Sequence, residues 1–247
     1  MKLVWIHGKR SVEEALQANR HIEKIYIANG VSRKRIESLL QQASRKKIPC
    51  IWVPRGKLDQ MIKQENHQGI LAQVEAYEYA SLEDCLKRAK RRKEHPFLLL
   101  LDGVEDPHNF GSILRTAEAT GVHGVIIPKK RAVGLTSTVA KTSAGAIEYV
   151  PVARVTNLKR TAEWLKEIGF WIIGSDGSAE QVYHEVDYNC PLALVIGNEG
   201  KGISRLMKEK CDLLVRLPMM GHMASLNASV AAGILMYEVV RSRKAHA

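Results

Sequence analysis

Residues 97–102 read Phe-Leu-Leu-Leu-Leu-Asp, five apolar side chains in a row that end on an acid. A short run with no polar position to face water suits a strand covered on both faces, the kind found inside parallel sheets. The chain beyond it keeps to that pattern. GSILRTAEATG, STVAKTSAGAIE, NLKRTAEWLKEIG and SRLMKEKC have helical spacing, while GVIIP, YVPVARV, FWIIGSD, LALVIG and LLVRLP read as strands. A long final helix starts near Ser225. Strands alternating with helices predict an α/β fold whose C-terminal part is a parallel sheet with helices over both faces.

The first 75 residues alternate in the same way on a smaller scale and predict a small α/β domain. A charged, helix-prone segment, residues 76–95, reads as a linker, and the larger domain spans 96–247. Lys plus Arg number 37 against 26 Asp plus Glu, a formal net charge of +11. Residues 1–93 hold 20 basic and 10 acidic side chains, and residues 94–247 hold 17 and 16. Such an excess steers and holds phosphate backbones, so the N-terminal part is expected to bind nucleic acid. No apolar run approaches the roughly 18 residues of a membrane span, and MKLVWIHGKRSVEEAL lacks the pattern of a secretion signal. Cys50, Cys85, Cys190 and Cys211 lie far apart, which suits reduced thiols of a cytoplasmic protein and no metal site.

In parallel sheets ligands sit beyond the carboxyl ends of strands. Three strand-end loops stand out here: LDGVEDPHNFGSILRTAEATGV (101–122), VIGNEGKGIS (195–204) and LPMMGHMASLNASVAAGIL (217–235). The glycine loop is neither a Walker loop, since Ile203 follows Gly202, nor a dinucleotide fingerprint, since the glycine spacing is reversed. Glu199 is an acid set among glycines. The third loop has no lysine, arginine or acid, and its small residues let backbone come close to a ligand; Ser225 reads as a helix cap.

In order and spacing the three loops resemble the motifs of the SpoU/TrmH branch of the SPOUT RNA methyltransferases. Asn109, Gly111 and Arg115 match N-x-G-x-x-x-R, followed by IGNEGKGIS, then LPM and SLNASVAAGI. The stretch from IHGKRSVEEAL to HQGILAQV is similar to the substrate-binding domain of the RlmB type, bacterial enzymes that methylate a guanosine 2′-hydroxyl of large-subunit (23S) rRNA. The resemblance implies a deep trefoil knot in the C-terminal domain, an RNA-binding N-terminal domain, and S-adenosylmethionine as cofactor. It places the adenine among main-chain groups near Gly197, Leu217 and Leu226, with Ile196, Gly202 and Met219 beside them. It puts Arg115 near the target hydroxyl and its adjacent phosphate. A guanidinium keeps its proton in proteins, so Arg115 is read as a clamp on phosphate and developing alkoxide. The same resemblance gives Asn109 the first loop and the ribose, and gives Glu199 the task of holding the loops together. Ser225 and Asn227 would bond loop backbone and orient Arg115 or the ribose. KTSAGA (141–146) is expected to pack beside this site, with Lys141 near a phosphate. The apolar final helix predicts a homodimer through the C-terminal domain.

Overall fold

The computed structural model describes residues 3–18, 20–62, 67–223 and 225–245. In chain order the elements are β1 (Leu3–His7), α1 (Lys9–Gln17), β2 (Ile22–Ala28), α2 (Glu37–Arg45), β3 (Cys50–Val53), α3 (Arg55–Met61) and β4 (Ile70–Glu75). Then follow α4 (Leu82–Arg92), β5 (Phe97–Asp102), α5 (Pro107–Ala119), β6 (Gly124–Pro128), α6 (Ser137–Thr142), β7 (Val152–Val155) and α7 (Leu158–Glu167). The chain continues through β8 (Trp171–Ser175), β9 (Gln181–Val182), β10 (Leu192–Gly197), α8 (Arg205–Lys208), β11 (Leu213–Arg216) and α9 (Ala228–Lys244). Two compact units result: Met1–Glu78 with Leu135–Tyr149, and Tyr79–Gly134 with Val150–Ala247.

The N-terminal unit has a four-stranded sheet in the order β1-β4-β2-β3. β4 pairs antiparallel with β1 and β2, while β2 and β3 run parallel. β1 is a strand that the alternation of the first 75 residues did not announce; its register along β4, from Leu3 opposite Glu75 to His7 opposite Leu71, covers one edge of the sheet. Leu58, Leu71, Val53 and Ala28 pack into one core cluster. The stretch expected as one helix over STVAKTSAGAIE stops at Thr142, because Ala144 (φ 51°) and Gly145 (φ 94°) turn left-handed. This segment belongs to the N-terminal unit, where α6 packs on β1 and α1, and not to the C-terminal sheet. A buried ion pair fixes its end: Arg20 Nη1 lies 3.0 Å from Glu148 Oε1, and the Tyr77 hydroxyl donates to the same oxygen at 3.0 Å. Burial, with the Glu148 charge second, pushes the Tyr77 phenol well above its usual range, so it remains a donor.

The C-terminal unit is a seven-stranded sheet in the order β7-β6-β5-β10-β8-β11-β9, all parallel. β10 is inserted between β5 and β8, so two almost wholly apolar strands become central neighbours, as their sequences require. Segment 76–95 is not a free linker. Its helix α4 starts at a capping box between Ser81 and Asp84 and lays Cys85 and Ala89 against β6 and β7. Gly124 is needed at that contact, since a Cβ there would collide with Cys85. The charged cluster KRAKRRK therefore rides on the C-terminal unit, and the N-terminal unit keeps 15 basic against 9 acidic residues. Burial pushes the Cys85 and Cys211 thiols up to about 12, as suits packing groups. Arg243 of α9 donates to the carbonyls of His95 (2.8 Å) and Cys190 (2.8 Å), tying the last helix to the starts of β5 and β10. Among the described residues no helix is long and apolar enough to cross a membrane.

His123, 1% exposed, joins α4, β5 and β6. Its Nδ1 accepts the Phe97 N–H (3.0 Å), which leaves Nε2 as donor to Glu94 (3.0 Å). Burial lowers its affinity for a proton, and Glu94 reverses this only in part. The unfolded chain thus binds the proton more readily, and stability rises with pH. The urea midpoint should fall as pH drops from neutrality through about 6.5, the ordinary imidazole value. His123→Asn, which retains an acceptor but does not titrate, should flatten that slope; an equally steep slope would assign it to another group.

Candidate active site

The parallel register sets Gly197, the last residue of β10, opposite Asp102, the last of β5. Beyond these ends three loops meet. The first turns into α5, where Asp106 caps the helix by accepting the Asn109 N–H at 2.9 Å and Pro107 takes the first helical position. The second doubles back on itself: Asn198 and Gly202 exchange backbone bonds at 3.0 and 2.8 Å, and Asn198 Oδ1 accepts the Gly200 N–H. Gly197 permits this, because a Cβ there would run into the backbone of Gly202 and Ile203. Asp102 accepts the Ser204 N–H (2.8 Å), and Asn198 Nδ2 donates to the Gly103 carbonyl (2.9 Å), so the first two loops are stitched together at their base.

The third loop joins them through side chains. Asn227 Nδ2 donates to Asn109 Oδ1 (2.9 Å) and to Glu199 Oε2 (2.9 Å). Asn109 Nδ2 donates to that same Glu199 oxygen at 3.0 Å. Three motif residues far apart in sequence thus form a closed triangle around one carboxylate oxygen, with amides as its donors. Asn227 has a second task. Its Oδ1 accepts from the Ser229 and Val230 N–H groups and caps α9. Ser225 is therefore not the cap expected from sequence: it lies two residues upstream, exposed, on the wall of a neighbouring cavity. An N-cap oxygen must reach the second or third helical N–H, and Asn227 alone stands where it can.

That cavity holds ≈ 300 Å³, the lower end of small-molecule sites. Its wall includes Ile196, Gly197, Gly202, Leu217, Met219 and Leu226, together with Glu199 and Ser225. Asn109 and Asn227 bond to Glu199 and do not themselves line the cavity. Arg115 is set apart. It lies on the exposed stripe of α5, neither in the triangle nor on the cavity wall, and among the described residues it makes no hydrogen bond or ion pair. Ser175, Asp176, Ser178 and Lys208, none of them among the candidates from sequence, also line the cavity. Burial pushes the Asp176 carboxyl up, but hydrogen bonds from Lys208 and Ser178 together leave it below the usual carboxylate range. The Asp-Gly turn in GSDGS, at the carboxyl end of a parallel strand, was the signal for this wall. Among the described residues no three His, Cys, Asp or Glu stand where they could hold a metal ion.

Residues 96–237 match the SpoU rRNA Methylase family, and residues 5–80 match RNA 2′-O ribose methyltransferase substrate binding. YacO of Bacillus subtilis (strain 168), assigned by name to the TrmH family of tRNA/rRNA methyltransferases, is 55% identical over 97% of this chain and 96% of its own. The SpoU methyltransferase AviRb from Streptomyces viridochromogenes, in complex with the cofactor AdoMet, has a similar structure. Its TM-score is 0.80 at 26% identity, covering 98% of this chain and 91% of AviRb. Likeness to the A. aeolicus TrmH/SpoU tRNA modifying enzyme (TM-score 0.56, 34% identity) covers 66% of this chain and 85% of that one.

Asn227→Ala should lower the free energy of unfolding by about 1–2 kcal/mol, the scale of a lost N-cap. Asn227→Ser restores the cap acceptor but is too short to bridge Asn109 and Glu199, and should recover most of that loss. Urea unfolding decides. A Ser variant no more stable than Ala would show that the bridge, and not the cap, carries the effect.

Proposed function

Because the chain belongs to the SpoU rRNA Methylase family, we propose that it transfers the methyl group of S-adenosylmethionine to a guanosine 2′-hydroxyl of large-subunit rRNA. The observation that carries this reading is the Asn109–Glu199–Asn227 triangle beside a cavity walled by glycines and apolar side chains. AviRb, alike over nearly the whole chain, binds AdoMet, and the lining here fits that group. Ile196, Leu217, Leu226 and Met219 offer apolar surface, and Gly197 and Gly202, without side chains, let an adenine come close to the loop backbone. The choice of rRNA rests on the N-terminal unit. Its substrate-binding match spans residues 5–80, whereas likeness to the tRNA modifying enzyme stops at two thirds of the chain. Guanosine rests on the resemblance of that unit to the RlmB type. The insertion of β10 between β5 and β8 supports a threaded, knotted C-terminal chain.

The cofactor supplies a methyl group on a positively charged sulfur. Glu199, Asn109 and Asn227 hold the three loops at fixed spacing, so that hydroxyl and methyl meet in line. Asn109 and Ser225 orient the ribose. Arg115 holds the adjacent phosphate with its planar fork and stabilises the alkoxide as the proton leaves to water or a phosphate oxygen. Its exposure, and the absence of a partner among the described residues, leave its donors open to RNA.

We also propose a homodimer through the C-terminal unit. Val230 (50% exposed), Ile234 (37%) and Tyr237 (57%) form an outward stripe on α9, and Met220 (97%) stands on the preceding loop. Gly233 of α9 approaches Thr116, the neighbour of Arg115, so this stripe and Arg115 lie on adjoining helices. Light scattering should give twice the chain mass, and Ile234→Glu should return a monomer; a monomeric parent protein would end the proposal.

Labelled methyl groups should pass to large-subunit rRNA and not to tRNA; the reverse would redirect the substrate. In single turnover, Arg115→Lys should lose on the order of a hundredfold in rate, the scale of one strong transition-state donor, with cofactor affinity unchanged by calorimetry. The gap should stay constant across an alkaline pH series. A Lys variant that climbs to the parent rate at high pH would replace the clamp by base catalysis.

A further inference from the structure

The N-terminal unit contains a second cavity, ≈ 320 Å³, formed where the chain leaves β1, β2 and β3. Its lining has two kinds of surface. Ala28, Val31, Ile36 and Ile70 make an apolar floor, and Lys9, Arg35 and Arg55 stand around it, with no acidic residue in the lining among the described residues. Lys9 has a loose pair with Glu13 at 3.6 Å. Arg35 and Arg55 are exposed and make no hydrogen bond or ion pair among the described residues. Each is positioned by local structure: Arg35 in the 3₁₀ turn Arg33–Ile36, and Arg55 as the first helical residue after Pro54. One wall is built firmly. His67, 2% exposed, accepts the Gly69 N–H on Nδ1 (2.9 Å) and donates from Nε2 to Asp59 (2.8 Å). That holds the left-handed pair Gln68 (φ 52°) and Gly69 (φ 84°) against Val31.

A merely solvated basic face needs no apolar floor. A floor of branched aliphatics under free guanidiniums fits a ligand with a flat apolar body and an anionic edge. In duplex RNA the phosphates are available but the bases are stacked inside, so a duplex would leave the floor empty; an unpaired, unstacked nucleotide would fill it. We propose that this cavity takes one unpaired nucleotide of the RNA substrate, its base on the Val31–Ile36–Ile70 floor and its phosphates on Arg35 and Arg55. The proposal rests on the reading that the chain acts on RNA, and it names the form of RNA that the N-terminal unit selects.

The test is equilibrium binding of the full chain, by fluorescence anisotropy, to a labelled RNA hairpin with an unpaired loop and to a blunt RNA duplex of equal length. Val31→Phe fills the cavity without changing charge and should weaken hairpin binding about tenfold, with the duplex and the salt dependence unchanged. Ser32→Leu intrudes from an exposed position and should act the same way, so it decides the matter if the Phe variant does not fold. Arg35→Ala with Arg55→Ala should weaken the hairpin and flatten the slope of log K against log salt by about 1.4, at roughly 0.7 per single-strand phosphate. Filled variants that bind the hairpin like the parent would overturn the site. So would a parent protein that prefers the duplex, or free guanosine monophosphate competing as strongly as the hairpin. Cofactor calorimetry and methyl transfer on the same preparations keep the readings apart. A chain that neither binds cofactor nor methylates RNA loses the proposed function, whereas one that does both, with filled variants unaffected, loses only the cavity.

Discussion

The pairing of β5 with β10 is the constraint on which the rest of the C-terminal unit depends. Both strands are almost wholly apolar and cannot stand at a wet edge, and each buried backbone group needs a partner. Placing β10 between β5 and β8 satisfies both of its sides at once. The same register brings Asp102 and Gly197 together at the carboxyl end, and the loops that follow inherit that proximity. Asp102 then reaches the Ser204 N–H, and Asn198 reaches the Gly103 carbonyl, so pairing of the strands becomes pairing of the loops.

Above that base, one carboxylate oxygen gathers the remaining loop. Glu199 Oε2 accepts from two amides that also bond one another, and among the described residues no lysine or arginine takes part. A cation there would neutralise the site and fill space beside the cavity; an amide supplies donors and an acceptor without adding charge. Asn227 couples the arrangement to helix formation, because the side chain that bridges the loops also satisfies the first free N–H groups of α9. The shape of the site and the start of the last helix are therefore set together.

Basic charge is arranged differently from the linear sequence. The run KRAKRRK lies within the N-terminal 93 residues, yet its helix is held by Cys85 and Ala89 on the C-terminal sheet. Both units consequently present positive surface, and the N-terminal one adds a cavity where three basic side chains surround an apolar floor. Long-range attraction needs only the net charge, whereas choosing among RNA shapes needs geometry of that second kind.

Local chemistry along the chain was enough to determine the layered α/β architecture, the central place of FLLLLD and LALVIG, and the three strand-end loops. These features depend on which residues avoid water and on glycine or asparagine at turns, and both can be read residue by residue. Ile196, Gly197, Gly202, Leu217, Met219 and Leu226 were singled out by the family resemblance of those loops and not by local chemistry, and one cavity wall holds them all. What tertiary structure alone decided is choice of partner. That β1 pairs with β4, that β10 inserts beside β5, that α4 packs on β6 and β7, and that the segment after Gly134 joins the N-terminal unit all depend on contacts between distant residues. Asn227 displaced Ser225 as the cap for a related reason: both side chains can cap a helix, and only the position of Glu199 and Asn109 across the loops selects between them. Periodicity records how much of an element is buried; what buries it is settled only when the sheet closes.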